Sequence, residues 1–166
     1  MTQEPVWPAE GAPAPDFALP DATGTVRRLG DFAGRWLVLY FYPKDSTAGC
    51  TTEALEFSEL LPQFTALGAQ VVGVSRDSTA SHDKFVAKNA LTVSLLSDTG
   101  RETLQAYGAW RPKKVCGRES LGTVRSTYLI DPQGVVRRAW PTVAKAAGHA
   151  RAVLEATRAL AGGSPP

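Results

Sequence analysis

Cysteine is scarce in this chain: its 166 residues hold two, Cys50 and Cys116. Two cysteines make no disulfide scaffold, and a chain of this length buries enough core to fold without one, so any role they have is chemical. Histidine is as rare, with His82 and His149 alone, and neither stands at ligand spacing from another His or Cys, so no metal is expected. Charge of one sign is lacking too. The 18 basic and 16 acidic residues leave a formal net charge of +2 spread along the sequence, which implies no nucleic-acid partner. No stretch approaches the roughly 18 consecutive apolar residues that span a bilayer, and residues 1–15 lack the basic start and apolar run of an export signal. Neither a membrane nor export is encoded, and a cytoplasmic location is the expectation.

What is present is the make-up of one folded α/β domain over residues 1–166. Hydrophobic residues reach 43% and charged residues 20%, ordinary values for a globular protein. Pro5, Pro8 and Pro13 mark residues 1–14 as an extended lead-in. Residues 17–19 and 26–29 flank a turn at 21–24 and predict a short hairpin at a sheet edge. The continuous apolar run 36–42 reads as a central strand covered on both faces and ended by Pro43. From 48 to 67, Phe57, Leu60, Leu61, Phe64 and Leu67 recur at helical spacing, with Pro62 expected to kink or divide the helix and Gly68 to stop it. Then follow a strand at 71–74, a helix at 78–89, a strand at 93–96 and a short helix at 102–107. Residues 110–118, with Pro112 and Gly117, read as a loop. Residues 125–130 and 135–139 flank Asp-Pro-Gln-Gly and predict an antiparallel hairpin, a last helix is expected near 149–160, and 162–166 form a frayed tail. The sum is a central mixed β-sheet flanked by helices on both faces, with an N-terminal hairpin.

Chemistry concentrates in Tyr42-Pro43-Lys44-Asp45-Ser46-Thr47-Ala48-Gly49-Cys50-Thr51-Thr52-Glu53, where a buried strand gives way to a helix. With Thr47 as N-cap, Cys50 is the third helical residue, among backbone N–H groups that lack intrahelical partners and favour an anion. Free cysteine titrates near about 8.5; helix starts and nearby cations lower that toward ~3.5–7.5 and raise the fraction of thiolate, the nucleophilic form. Apolar burial pushes the other way, so the helix start or a cation such as Arg125 has to prevail. Free cysteines are also commonly small core side chains, and spacing alone does not decide between the two readings. The pair Lys113 and Lys114 reads as a solvated basic patch, and His82, His149, Trp110 and Trp140 as structural residues.

The neighbours of Cys50 narrow the choice. Tyr40-Phe41-Tyr42-Pro43-Lys44-Asp45 leading into Thr47-x-x-Cys50-Thr51-x-Glu53 resembles the peroxidatic motif of peroxiredoxins, particularly the peroxiredoxin Q or bacterioferritin comigratory protein subfamily. Ala14-Pro15-Asp16-Phe17, Leu67-Gly68-Ala69 before Val71-Val72-Gly73-Val74-Ser75, Asp98 after Leu95-Leu96, and Arg125-Ser126-Thr127-Tyr128-Leu129-Ile130-Asp131 are similar to that subfamily in order and spacing. The resemblance runs to about residue 160 and implies a thioredoxin-like fold. It implies Cys50 as peroxidatic nucleophile, with Thr47, Arg125 and Pro43 completing the active-site quartet. The implied activity is thiol-dependent reduction of hydrogen peroxide and organic hydroperoxides through a Cys50 sulfenic acid, without a cofactor. Thioredoxin or another thiol is the implied reductant, and a monomer the implied state. Glu53 matches a family glutamate and admits two roles, organiser of the loop or of Arg125, or an acid favouring the helix start. The alternative function is a peroxide-responsive redox sensor with little turnover, and a thiol–disulfide exchanger is disfavoured because Cys-x-x-Cys is absent.

Two departures from the subfamily pattern have consequences. Ala48 stands where many members carry proline, the residue pre-organised for the first helical position. Leu55 stands where many carry a resolving cysteine, so the usual local disulfide is ruled out. Regeneration then falls to Cys116 as candidate resolving residue, to a cysteine of a second chain, or to an outside thiol in a one-cysteine cycle, which is the preferred reading.

Overall fold

A computed structural model describes residues 7–115 and 117–162. Strand β3 (Trp36–Phe41) is buried on both faces from Leu37 to Phe41, as befits a strand in the middle of a covered sheet. It pairs in parallel with β4 (Ala69–Ser75), which pairs in parallel with β5 (Ser94–Ser97). On its other side β3 runs antiparallel to β8 (Ser126–Ile130), which runs antiparallel to β9 (Val136–Trp140). The mixed sheet therefore has the order β5-β4-β3-β8-β9. The turn between the last two strands is built by Asp131, whose carboxylate accepts the N–H groups of Gln133 and Val135 at 2.9 and 3.0 Å. Gly134 supplies the positive φ of 82° that the turn requires.

Alternation along β3 sorts the core into two layers. Val38 and Tyr40 face Phe57 and Phe64 of α1 (Ala48–Ala66), Phe85 of α2 (Thr79–Asn89) and Val153 of α4 (His149–Thr157). Leu37, Leu39 and Phe41 face Phe17 and Leu19 near the N-terminal hairpin and Leu104 of α3 (Glu102–Ala106). That hairpin, β1 (Ala18–Pro20) with β2 (Val26–Arg28), forms its own two-stranded sheet and touches the edge strand β5 through a bridge between Asp21 and Leu96. Of the lead-in, residues 1–6 lie outside the described residues; Pro13 bridges Val135, and Ala14 N–H donates to the Gly134 carbonyl at 2.8 Å. Of the expected tail at 162–166, Gly162 instead ends a helical segment, Arg158–Gly162, and residues 163–166 are also outside them. Among the described residues, no helix is long and apolar enough to cross a membrane.

Two further expectations are corrected. Pro62 does not divide α1 into separate helices: the helix runs unbroken over its 19 residues. A proline at that position leaves the Ser58 carbonyl without its i+4 donor, and the Thr92 hydroxyl reaches that carbonyl at 3.4 Å while its N–H donates to Ser58 Oγ at 3.0 Å. A neighbouring loop thus supplies the bond that proline cannot. The segment read as a loop is instead an antiparallel arm, β6 (Trp110–Val115) with β7 (Arg118–Thr123). Pro112 is tolerated because β6 has a strand on one side only, so its missing N–H breaks no central ladder.

Candidate active site

α1 starts where β3 ends, and Thr47 is its N-cap, extended at φ −91° and ψ 156°. Its hydroxyl does not cap the helix but donates to the Lys44 carbonyl at 2.7 Å. Thr47 makes no side-chain cap bond to the first turn, which leaves N–H groups there to face negative charge. Cys50, third in the helix, is 2% exposed, and Pro43 sits half-buried just after β3.

Arg125, at the junction of β7 and β8, closes the site. Its Nη2 lies 3.5 Å from Cys50 Sγ, and its Nη1 donates to Glu53 Oε1 at 2.5 Å. One guanidinium thus faces two acidic groups that share a face of α1 at i, i+3 spacing. Gly49 makes the approach feasible, since a Cβ there would stand 3.1 Å from Nη2. The backbone carbonyl of Arg125 accepts Val143 N–H at 2.8 Å, fixing the arginine from behind.

Glu53 is fully buried, and burial pushes its carboxyl up to about 7 against the opposing pull of Arg125. Its Oε2 has no hydrogen-bond partner among the described residues, so no donor on that oxygen favours the charged form. Arg125 is held above its ordinary value: burial pulls it down, but Glu53 and Cys50 outweigh that. Between the two earlier roles of Glu53, the geometry favours the Arg125 contact, since the residue lies beyond the first turn of α1 and no acid occupies that turn. His149 stands behind this group, bonded through Nε2 to Thr127 Oγ1 at 2.8 Å. Burial first and Arg125 second push it down to about 4, which leaves a neutral ring at pH 7. It meets the edges of Phe57 and Trp140.

Cys50, Arg125 and Glu53 therefore come together, with Thr47 three residues before Cys50 on the same helix start. Cys116 lies outside the described residues. Leu55, in place of the subfamily's resolving cysteine, is 43% exposed on α1. Sequence reasoning missed Gly49, whose only signal was a glycine beside the cysteine, and a buried cluster around Asp45. That carboxylate accepts Tyr42 Oη at 2.6 Å, Ser81 Oγ at 2.8 Å and His82 Nδ1 at 2.7 Å. Its main partner is 37 residues away, a separation at which no local pattern is visible.

A thioredoxin-like sheet carrying an arginine-paired cysteine at a helix start defines a thiol-dependent peroxidase, and comparison with known proteins agrees. The family model described as AhpC/TSA matches residues 11–139. Peroxiredoxin Bcp of Xanthomonas campestris is 50% identical over 151 residues, covering 90% of this chain and 94% of the relative. Peroxiredoxin Bcp of Bacillus subtilis is 41% identical over 145 residues, covering 87% and 92%. Among solved structures, the X. campestris bacterioferritin comigratory protein, described for its alkyl peroxide reduction activity, superposes with a TM-score of 0.83 at 48% identity, covering 87% of this chain and 92% of that one. A PrxQ variant from Xylella fastidiosa gives 0.88 at 41% identity, covering 94% and 99%. The chain belongs to the AhpC/TSA family, as a peroxiredoxin of the Bcp or PrxQ kind. Its substrate is a peroxide and its reductant a thiol.

Proposed function

We propose that Cys50 is the peroxidatic nucleophile and that it reduces hydrogen peroxide and organic hydroperoxides in the cytoplasm. The observation that carries this is the single guanidinium held against both Cys50 Sγ and Glu53 Oε1 at the start of α1. The Cys50 thiolate attacks the terminal peroxide oxygen, the S–O bond forms as the O–O bond breaks, and the electron pair leaves on the departing oxygen. That oxygen takes up a proton as water or alcohol, and Cys50 is left as a sulfenic acid. Arg125 offsets negative charge first on sulfur and then on the leaving oxygen. Thr47 has committed its only proton to the Lys44 carbonyl, so its lone pairs accept the hydroxyl hydrogen of the peroxide and orient it. Pro43, half-buried at the strand end, shields the reacting atoms from water.

Regeneration runs as a one-cysteine cycle: two equivalents of an outside thiol return Cys50 to the thiol and release water and a disulfide. What supports this is the sequence of α1, in which Leu55 stands at the local resolving position and leaves Cys50 no disulfide partner on its own helix. Thioredoxin is the proposed donor, and the protein is proposed to act as a monomer. The test is peroxide consumption with thioredoxin and its reductase, set beside glutathione, for wild type, Cys50→Ser and Cys116→Ser. Sustained turnover that Cys50→Ser abolishes and Cys116→Ser retains is the expected result. A single stoichiometric oxidation would point to a sensor, and loss of turnover in Cys116→Ser would make Cys116 the resolving residue.

A further inference from the structure

The Lys44–Asp45 peptide unit is gripped from both sides. Its carbonyl accepts the Thr47 hydroxyl at 2.7 Å, and its N–H donates to Asp77 Oδ2 at 2.8 Å. Asp77 is fixed in turn, since the same Oδ2 accepts Ser75 Oγ at 2.6 Å. The Asp45 side chain, 5% exposed, is held by three donors from two places: Tyr42 after β3, and Ser81 and His82 in α2. His82, wholly buried, carries the link on to β5, where its Nε2 meets the Leu96 carbonyl at 2.9 Å. Although burial raises the Asp45 carboxyl, its bonds from His82, Tyr42 and Ser81 outweigh that and hold it below its ordinary value. The anchoring is needed because Ser46 sits at φ 64°, a left-handed conformation that a non-glycine residue keeps only when its surroundings impose it.

We infer that Asp77, Asp45 and His82 are positioning residues that fix the plane of the Lys44–Asp45 peptide and thereby aim the Thr47 hydroxyl. The chain of action is short. Asp77 and the Asp45–His82 pair hold the peptide, the peptide carbonyl takes the Thr47 proton, and the Thr47 lone pairs are left directed at the bound peroxide. None of the three touches the reacting atoms. The inference rests on the reading of Thr47 given above, and the experiment separates the two.

The test compares two reactions of the same sulfur, oxidation by peroxide and alkylation by iodoacetamide, in Asp77→Ala, Asp77→Asn, His82→Gln, Thr47→Val and the Thr47→Val/Asp77→Ala pair, with circular dichroism melts on each. Alkylation needs Cys50 but not an oriented peroxide. Asp77→Ala and His82→Gln are expected to slow oxidation on the order of 10–100-fold with alkylation within about twofold. Asp77→Asn, which keeps an acceptor oxygen, restores most of the rate. The double variant is expected to be no slower than Thr47→Val alone, because both changes act through one hydroxyl. Asp77 is half-buried, so its variants report even where His82→Gln fails to fold. The inference is overturned by equal losses in both reactions, by additive losses in the double variant, or by a slow Thr47→Val beside an unimpaired Asp77→Ala. A Thr47→Val protein of undiminished oxidation rate overturns the Thr47 reading and this inference with it.

Discussion

Gly49 acts by what it lacks. A methyl group there would crowd Arg125 Nη2 at 3.1 Å, so Gly49→Ala is expected to push the guanidinium off Cys50 and slow the peroxide reaction while leaving the melting temperature nearly unchanged, as stopped-flow and calorimetry on one sample will show. Arg125→Lys removes the fork that reaches Sγ and Glu53 together, and is expected to lower the second-order rate with peroxide on the order of 10²–10³-fold. Glu53 titrates at about 7 in the folded chain, above its unfolded value of about 4.3. The folded state therefore holds a proton that the unfolded state has lost, and the stability this contributes is full below about pH 4.3 and is lost as pH rises through 7. Glu53→Gln has no such loss, so its stability relative to wild type is expected to rise between pH 5 and 8 in urea melts. His149, pushed down to about 4, runs oppositely: its contribution is present above about 6.5 and is lost as pH falls through 4.

At the level of elements, the start of α1 is where Ala48 stands in place of the proline that the subfamily resemblance implies. Ala48 is the first residue of the helix, after the N-cap Thr47, and it is exposed. Ala48→Pro fits that position, whose N–H has no intrahelical bond to lose, and is expected to stabilise the fold by about 0.4–1 kcal/mol, read as a raised urea midpoint at unchanged slope. The strand-to-helix junction was legible because its signals are local: an apolar run, a proline, a threonine, then helical spacing. Pro62 misled for the same reason, since the compensating Thr92 hydroxyl lies 34 residues from the Ser58 carbonyl it reaches and belongs to no local pattern. The β6–β7 arm was missed because a stretch holding Pro112, Lys113, Lys114 and Gly117 reads as a loop by composition, and only pairing with residues 118–123 makes residues 110–115 a strand.

For the molecule as a whole, the parallel β3–β4–β5 run and the antiparallel β8–β9 return were readable from alternation of strand and helix patterns, and that scaffold brings residues 50 and 125 together. What was not readable is the charge arrangement. That Glu53 would be buried to the point of holding a proton near neutrality depends on how α1 lies over the sheet, and that Asp45 would be a hub depends on α2 delivering His82 and Ser81. Both are consequences of packing between distant segments. They make the site a set of coupled groups rather than one activated sulfur.

The central claim, that Cys50 is the atom oxidised, is tested most directly by treating the reduced protein with one equivalent of peroxide in the presence of dimedone and mapping the adduct by mass spectrometry. The account predicts one dimedone per chain, on Cys50, and neither adduct nor peroxide consumption in Cys50→Ser. Peroxide consumption that survives Cys50→Ser would contradict it.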